Sequence, residues 1–107
     1  MGSTRSCLTG AAVALMFLPS LAWTQNTQPL SSPSLAATCA ACHGTQGRAI
    51  ADAAVPGLAG LPAGYLSEQM KGFKSGTRQA TVMHQIAKGY SDAQIEQLAA
   101  YFAVQKK

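Results

Sequence analysis

The 107-residue sequence is poor in charge, in aromatic residues and in long apolar runs. Only 11% of its residues are charged and 7% are aromatic, and the basic residues are scattered along the chain. A nucleic-acid-binding protein needs clustered basic residues, so this class of function is excluded. No apolar run reaches the ~20 residues that cross a bilayer, so stable membrane insertion of the processed chain is not expected.

Residues 1–22 nevertheless have the pattern of a secretory signal peptide. The single charge of Arg5 precedes an apolar stretch over 8–18, and small residues follow at Ser20 and Ala22. We expect cleavage after Ala22 and export to the periplasm. An uncleaved membrane anchor is the alternative.

The processed chain is short and has little cysteine to stabilise it. Once Cys7 leaves with the signal peptide, only Cys39 and Cys42 remain. A disulfide between residues so close in sequence closes too small a loop to contribute much stability. Because a chain of this length also buries only a thin core, another group is needed to complete it.

The processed chain divides into a polar arm and one domain. Residues 23–34 contain prolines and have no apolar periodicity, which predicts a flexible arm. The domain is expected over residues 35–105. No segment of it has a strand pattern, so an all-α fold is predicted.

Three segments of this domain have helical patterns. The first helix is predicted to start at Pro33 with Ser32 as its cap. The second is predicted from Pro62 to Lys74 and is ended by Gly76. The third has Ser91 and Gln94 in the positions of a capping box. Between the first two helices, the Gly- and Pro-rich residues 44–62 predict a loop that wraps around a bound group.

The segment from Cys39 to His43 carries the chemistry of the sequence. Two thiols at i and i+3 of a helical turn add to the two vinyl groups of a haem, and the adjacent imidazole reaches the iron. A zinc site needs four ligands, and beyond these three residues only His84 is available. A thioredoxin-like dithiol needs a preceding strand. The motif therefore predicts one covalently attached haem c, which would also complete the thin core.

The second axial ligand of the iron has three candidates, namely Met70, Met83 and His84. Met70 lies in the apolar stripe of the second helix and is interpreted as a core side chain. Met83 follows the polar stretch 75–81 and precedes a short turn ending at Gly89, so it is the favoured ligand. A thioether ligand stabilises ferrous iron and raises the reduction potential, which suits an electron carrier. Ligation by His84 would lower the potential, and an open position would suit a haem peroxidase or a gas sensor.

Residues 35–103 resemble a small bacterial class I cytochrome c, on the segments CAACHG, VPGLAG, YLSEQMKGFKSGTR and SDAQIEQLAAYFA. The resemblance implies three to four short helices around one covalently bound haem. It also implies axial ligation by His43 and Met83, and a hydrogen bond from the His43 ring to the backbone carbonyl of Pro56. Arg78 is a candidate partner of a haem propionate.

The segment TVMHQIAKGYSDAQIEQLAAYFA is similar to the cytochrome subunits of flavocytochrome c sulfide dehydrogenases, and residues 87–92 carry this likeness. It implies a non-catalytic haem subunit whose partner is a sulfide-oxidising flavoprotein. A free shuttle to an oxidase or reductase is the alternative. Lys71, Lys74 and Lys88 are candidates to rim the haem edge and steer an acidic partner. Tyr90 is interpreted as an ordinary loop side chain.

Overall fold

The structure, a computed structural model, describes residues 30–107. Within this range the chain forms five α-helices and no strand, which confirms the predicted all-α fold. The predicted signal peptide, its cleavage site at Ala22 and residues 23–29 of the predicted arm lie outside the described residues. None of the helices between residues 30 and 107 has the length and apolar character needed to span a bilayer. The helices are α1 (Ser32–Ala37), α2 (Ala40–His43), α3 (Ala63–Ser75), α4 (Met83–Lys88) and α5 (Asp92–Ala103), with a short 3₁₀ turn at Thr45–Gly47.

Helix α1 begins one residue earlier than the sequence predicted. Ser32 is its first residue, and Ser31 takes the cap position. The Ser31 hydroxyl pairs with the hydroxyl of Ser34 at 2.9 Å rather than with a backbone N–H group. Gln97 of α5 donates a hydrogen bond of 3.0 Å to the Ser32 hydroxyl and so ties this end of α1 to the domain. The last part of the arm predicted over 23–34 is therefore helical.

Helix α5 begins, and helix α3 ends, at signals that the sequence carries. The Ser91 Oγ accepts a hydrogen bond from the Gln94 N–H at 3.2 Å, and the Ser91 N–H donates to Gln94 Oε1 at 2.9 Å. This confirms the predicted capping box. Gly76 ends α3 with a φ of 80°, a left-handed conformation that glycine adopts without strain.

Helix α4 lies where the sequence predicted a short turn ending at Gly89. It has six residues, which are too few for an isolated helix to be stable in water. Its cap residue Val82 makes no side-chain hydrogen bond. The helix is held by tertiary packing, since it packs against α3 and its Ala87 is fully buried. The prediction of a turn was wrong because no local signal marks this helix.

The core lies where α1, α3 and α5 meet, and it is thin. Ile95 is the only large side chain that is fully buried among residues 30–107. A core of this size agrees with the expectation that another group completes it. The buried cluster consists of Leu35, Ala36, Leu66, Leu98, Ala99 and Phe102.

Two ion pairs join α3 to α5 at the surface. Lys71 pairs with Glu96, and Lys74 pairs with Asp92 at 2.7 Å. The hydrogen bond from Lys71, and then that from Ser67, lowers the pKa of Glu96, and the hydrogen bond from Lys74 lowers the pKa of Asp92. Because folding lowers the pKa of both carboxyl groups, the two ion pairs contribute to the free energy of unfolding at a pH above the pKa values of the unfolded chain. This contribution is lost as the pH falls through the lower pKa values of the folded state. The contribution is small because the carboxylates are exposed.

Gly47 lies at a close contact between the loop and α5. Its φ is 77°, and its carbonyl accepts hydrogen bonds from the N–H groups of Leu58 at 2.7 Å and Ala59 at 3.1 Å. A Cβ atom at this position would stand 2.8 Å from Cδ1 of Phe102, closer than real side chains approach. Both the backbone conformation and the available space therefore require glycine here.

Gly47→Ala is expected to lower the free energy of unfolding by about 2 kcal/mol, because it adds backbone strain to overpacking. Denaturant unfolding of the holoprotein measures this change. Gly64→Ala is the matched control, since a Cβ atom at this exposed position of α3 meets nothing within 4 Å. The control should raise the free energy of unfolding by up to ~1 kcal/mol. Equal stability of the Gly47→Ala variant and the wild type would contradict the close contact.

Candidate haem-binding site

The two cysteines and the histidine of the predicted attachment motif are held by helix α2. Cys39 is the cap residue of this helix, and its carbonyl accepts the N–H of His43 at 2.9 Å. Cys42 is exposed, and Cys39 is half-buried against the core cluster. They form no disulfide with each other, and burial raises the pKa of the Cys39 thiol. One helical turn thus presents two thiols and an imidazole, which is the donor set for attachment of a haem.

The His43 imidazole is fixed by the backbone of the loop that follows. Its Nδ1 atom lies 2.6 Å from the carbonyl oxygen of Pro56, and only 9% of the residue is exposed. Because a carbonyl only accepts hydrogen bonds, Nδ1 must carry the proton. The lone pair of the imidazole is then on Nε2, where it is available to a metal ion. This is the contact between His43 and Pro56 that the sequence resemblance implied.

The loop reaches His43 because a glycine ends α2. Gly44 has a φ of 83°, and a Cβ atom there would lie 2.0 Å from the carbonyl oxygen of Arg48. Any other residue would therefore force the turn open. Its tight geometry starts the path that brings Pro56 back over the histidine ring.

Met83, the favoured second ligand, is the first residue of α4. It is half-buried and lies three residues before Ile86, on the same side of the helix. Ile86 and the preceding Val82 are large apolar residues that are 42% and 55% exposed. Exposed apolar side chains next to a thioether fit a large apolar ring that would cover them. Met70, which was interpreted as a core side chain, is half-buried on α3.

His84, the competing candidate, follows Met83 directly. Its Nδ1 atom is buried and has no hydrogen-bond partner among the residues that the structure describes. A buried imidazole nitrogen normally has a hydrogen-bond partner, so His84 stays a candidate for binding a further group. The pair Met83 and His84 therefore supplies both a sulfur and a nitrogen donor at the start of α4, and either donor fits haem iron.

Arg78, the candidate for a haem propionate, is exposed. Its guanidinium lies 4.5 Å from the centre of the Phe73 ring, a cation–π contact at the end of α3. Its backbone N–H donates to the carbonyl of Gly72 at 3.1 Å. Pairing of Arg78 with a propionate stays a prediction. Lys71 and Lys74, which were candidates for the haem edge, are engaged in the ion pairs with α5.

The structure places Thr38 and Tyr90 in contact, which no sequence pattern predicted. Tyr90 lies between α4 and α5, as expected, but it is half-buried and packs against the core cluster. Its hydroxyl oxygen is 2.7 Å from that of Thr38. The two residues are 52 positions apart, so no local pattern signals their contact. The interpretation of Tyr90 as an ordinary loop side chain was therefore incomplete.

Comparison with known proteins agrees with the predicted haem-attachment motif. The family model of cytochrome c matches residues 34–104. A thiosulfate dehydrogenase electron acceptor of Thiomonas intermedia is 40% identical over 91 residues, which cover 85% of this chain and 42% of that protein. The cytochrome subunit of sulfide dehydrogenase of Chlorobaculum tepidum is 38% identical over 68 residues, which cover 64% of this chain and 60% of that protein.

A solved structure of cytochrome c4 from Acidithiobacillus ferrooxidans shares the fold. It matches with a TM-score of 0.58 and 41% identity over 62% of this chain and 37% of that one. The chain therefore spans less than half the length of the Thiomonas intermedia relative and of this structure.

The match over residues 34–104 includes the attachment motif, the loop that contains Pro56 and all of α3, α4 and α5. The all-helical fold and the donor set of α2 agree with it. The chain thus belongs to the cytochrome c family, with covalently bound haem c and its iron as the cofactor.

Proposed function

We propose that this chain is a monohaem electron carrier of the periplasm. Cys39 and Cys42 would hold the haem through thioether bonds, and His43 and Met83 would ligate its iron. The observation that carries the proposal is the 2.6 Å contact between His43 Nδ1 and the carbonyl of Pro56, because it leaves Nε2 free for the iron. Arg78 pairs with a haem propionate. The pattern of residues 1–22, with cleavage after Ala22, supports export.

The residues of the site act by holding the cofactor. When bound, haem iron supplies one-electron redox chemistry. The Pro56 carbonyl keeps the proton of the imidazole on Nδ1 and fixes the ring, which leaves the lone pair on Nε2 for the iron. A thioether from Met83 would favour the ferrous state of the iron and raise its reduction potential. With both His43 and Met83 as ligands, the iron would have no position left for a substrate, which is why a peroxidase or a gas sensor is the weaker alternative.

The proposed electron donor is a dehydrogenase that oxidises an inorganic sulfur compound. Two relatives of this chain are named for such a role, one with sulfide dehydrogenase and one with thiosulfate dehydrogenase. We favour the sulfide-oxidising flavoprotein because residues 87–92 carry the likeness to its cytochrome subunit. Thiosulfate dehydrogenase is the second candidate, because the relative named for it aligns with 85% of this chain. A free shuttle to an oxidase or reductase is the remaining alternative.

Stopped-flow reduction of the oxidised holoprotein distinguishes these donors. We expect sulfide together with a sulfide dehydrogenase flavoprotein from the same organism to reduce the haem rapidly, at a rate that rises with the flavoprotein concentration. Thiosulfate with a thiosulfate dehydrogenase should reduce it much more slowly. Each substrate without its enzyme is the control for direct reduction. A haem that stays oxidised with both enzyme and substrate pairs would contradict a role in sulfur oxidation and leave the free shuttle.

A further inference from the structure

The hydroxyl groups of Thr38 and Tyr90 form a directed pair of hydrogen bonds. The Thr38 hydroxyl donates to the carbonyl of Leu35 at 2.9 Å. Its single proton is used in this bond, so the 2.7 Å contact with Tyr90 must be donated by the tyrosine. The proton of Tyr90 therefore points to Thr38, and that of Thr38 points into α1. Aligned hydrogen bonds of this kind strengthen one another.

This pair connects the two parts of the chain that hold the proposed axial ligands. Thr38 precedes Cys39, which is the cap residue of α2 and accepts the N–H of His43. Tyr90 follows Gly89, the residue that ends α4, and its N–H donates to the carbonyl of Ala87 at 3.2 Å. Tyr90 and Cys39 both pack against the core cluster. The hydroxyl contact thus joins the attachment segment to the helix that begins at Met83.

Helix α4 depends on such a connection. It is short, its cap makes no side-chain hydrogen bond, and its packing partner in the fold is α3. A six-residue helix is not stable by itself, so its position depends on the contacts that it makes with the rest of the fold. The bond from Tyr90 fixes the end of α4 relative to the cysteine that anchors the haem. A ligand at the start of α4 is thereby kept at a constant distance from the attachment turn.

We propose that Tyr90 and Thr38 are positioning residues that hold Met83 on the haem iron. The proposal rests on the proposed ligation by Met83. Neither hydroxyl is assigned a contact with the haem, and both act through the placement of α4. Loss of either hydroxyl would let α4 move, so that the sulfur ligand dissociates more often and an external ligand competes better for the iron.

Cyanide titration of the oxidised holoprotein tests this role. Tyr90→Phe and Thr38→Val should each raise the apparent cyanide affinity by about tenfold, the effect of one lost hydrogen bond of this kind. Both variants should also weaken the near-infrared band that arises from sulfur ligation. Thr38→Ser keeps a hydroxyl group and should behave as the wild type. The double variant should equal Thr38→Val, because that change already removes the only bond that Tyr90→Phe removes.

Tyr101→Phe is the matched control. Tyr101 is also half-buried and packs against the core cluster, and none of the side-chain hydrogen bonds found within residues 30–107 involves its hydroxyl. Cyanide affinity should therefore stay at the wild-type value. An equal rise in the control, or additive effects in the double variant, would overturn the proposal. Lower thermal stability of Tyr90→Phe with unchanged cyanide affinity would overturn it too, since it would show a purely structural bond.

Amide hydrogen exchange tests the positioning role of Tyr90 and Thr38 independently of whether Met83 is the ligand. The amides of α4 should exchange about tenfold faster in Tyr90→Phe than in the wild type, while those of α5 remain protected. Unchanged exchange in α4 would overturn the positioning role. If Met83 is not the ligand, the sulfur band is already missing in the wild type. Faster exchange in α4 would then still support the connection between Tyr90 and Thr38.

Discussion

Replacement of both Cys39 and Cys42 by alanine should give a chain that loses its haem in acid and unfolds at much lower temperature. The two thiols are the covalent links that the α2 turn presents, so acid and organic solvent should extract all haem from the double variant. Each single variant keeps one thioether bond and should retain haem. Intact-mass spectrometry after expression with haem-attachment machinery measures the covalent content directly.

The loss of stability in this double variant follows from the thin core. Apart from Ile95, the structure buries no large side chain completely between residues 30 and 107, and apolar residues such as Val82 remain half-exposed. A covalently held apolar ring offsets this deficit because it buries those side chains without the entropic cost of binding.

Cys7→Ala is the matched control for the cysteine variants. Cys7 lies in the predicted signal peptide, so its replacement should leave the haem content and the thermal midpoint at the wild-type values. A wild-type chain that carries free thiols and no added haem mass would contradict attachment at Cys39 and Cys42.

Local signals account for the parts of the fold that the sequence predicted well. The capping box of Ser91 and Gln94 and the left-handed Gly76 each act within a few residues, so they are visible in a sequence. The first cap was misplaced because Ser31 and Ser32 offer equivalent hydroxyl groups. There the hydrogen bond from the distant Gln97 favours Ser32 as a helical residue.

Distant contacts account for what the sequence did not show. Helix α4 was missed because its stability comes from packing of Ala87 rather than from a cap. The hydrogen bond between Tyr90 and Thr38 was not predicted either, because the two residues are 52 positions apart in the sequence. In the site, by contrast, the attachment motif was readable because its chemistry fixes the spacing of its residues on one helical turn. For the second ligand the sequence favours Met83 and leaves His84 open, because the two are neighbours and the choice between them depends on the placement of α4.

Met83→Ala is expected to abolish the near-infrared sulfur band of the oxidised protein and to lower the reduction potential by on the order of 0.1 V. Both effects follow from the loss of a thioether, which stabilises ferrous iron more than ferric iron. Spectroelectrochemistry of the purified holoprotein measures the band and the potential together. Cyanide should also bind the variant far more tightly, since its iron has an open or weakly occupied position.

His84→Ala is the control that decides between the two donors. If Met83 is the ligand, this variant keeps the sulfur band and a potential close to that of the wild type. The buried Nδ1 atom of His84 has no partner among the described residues, so its removal leaves no hydrogen bond broken between them. If the His84 variant alone changes the ligand spectrum, the assignment of Met83 is wrong. A bis-histidine site would then lower the potential and weaken the case for a carrier that accepts electrons from a flavin.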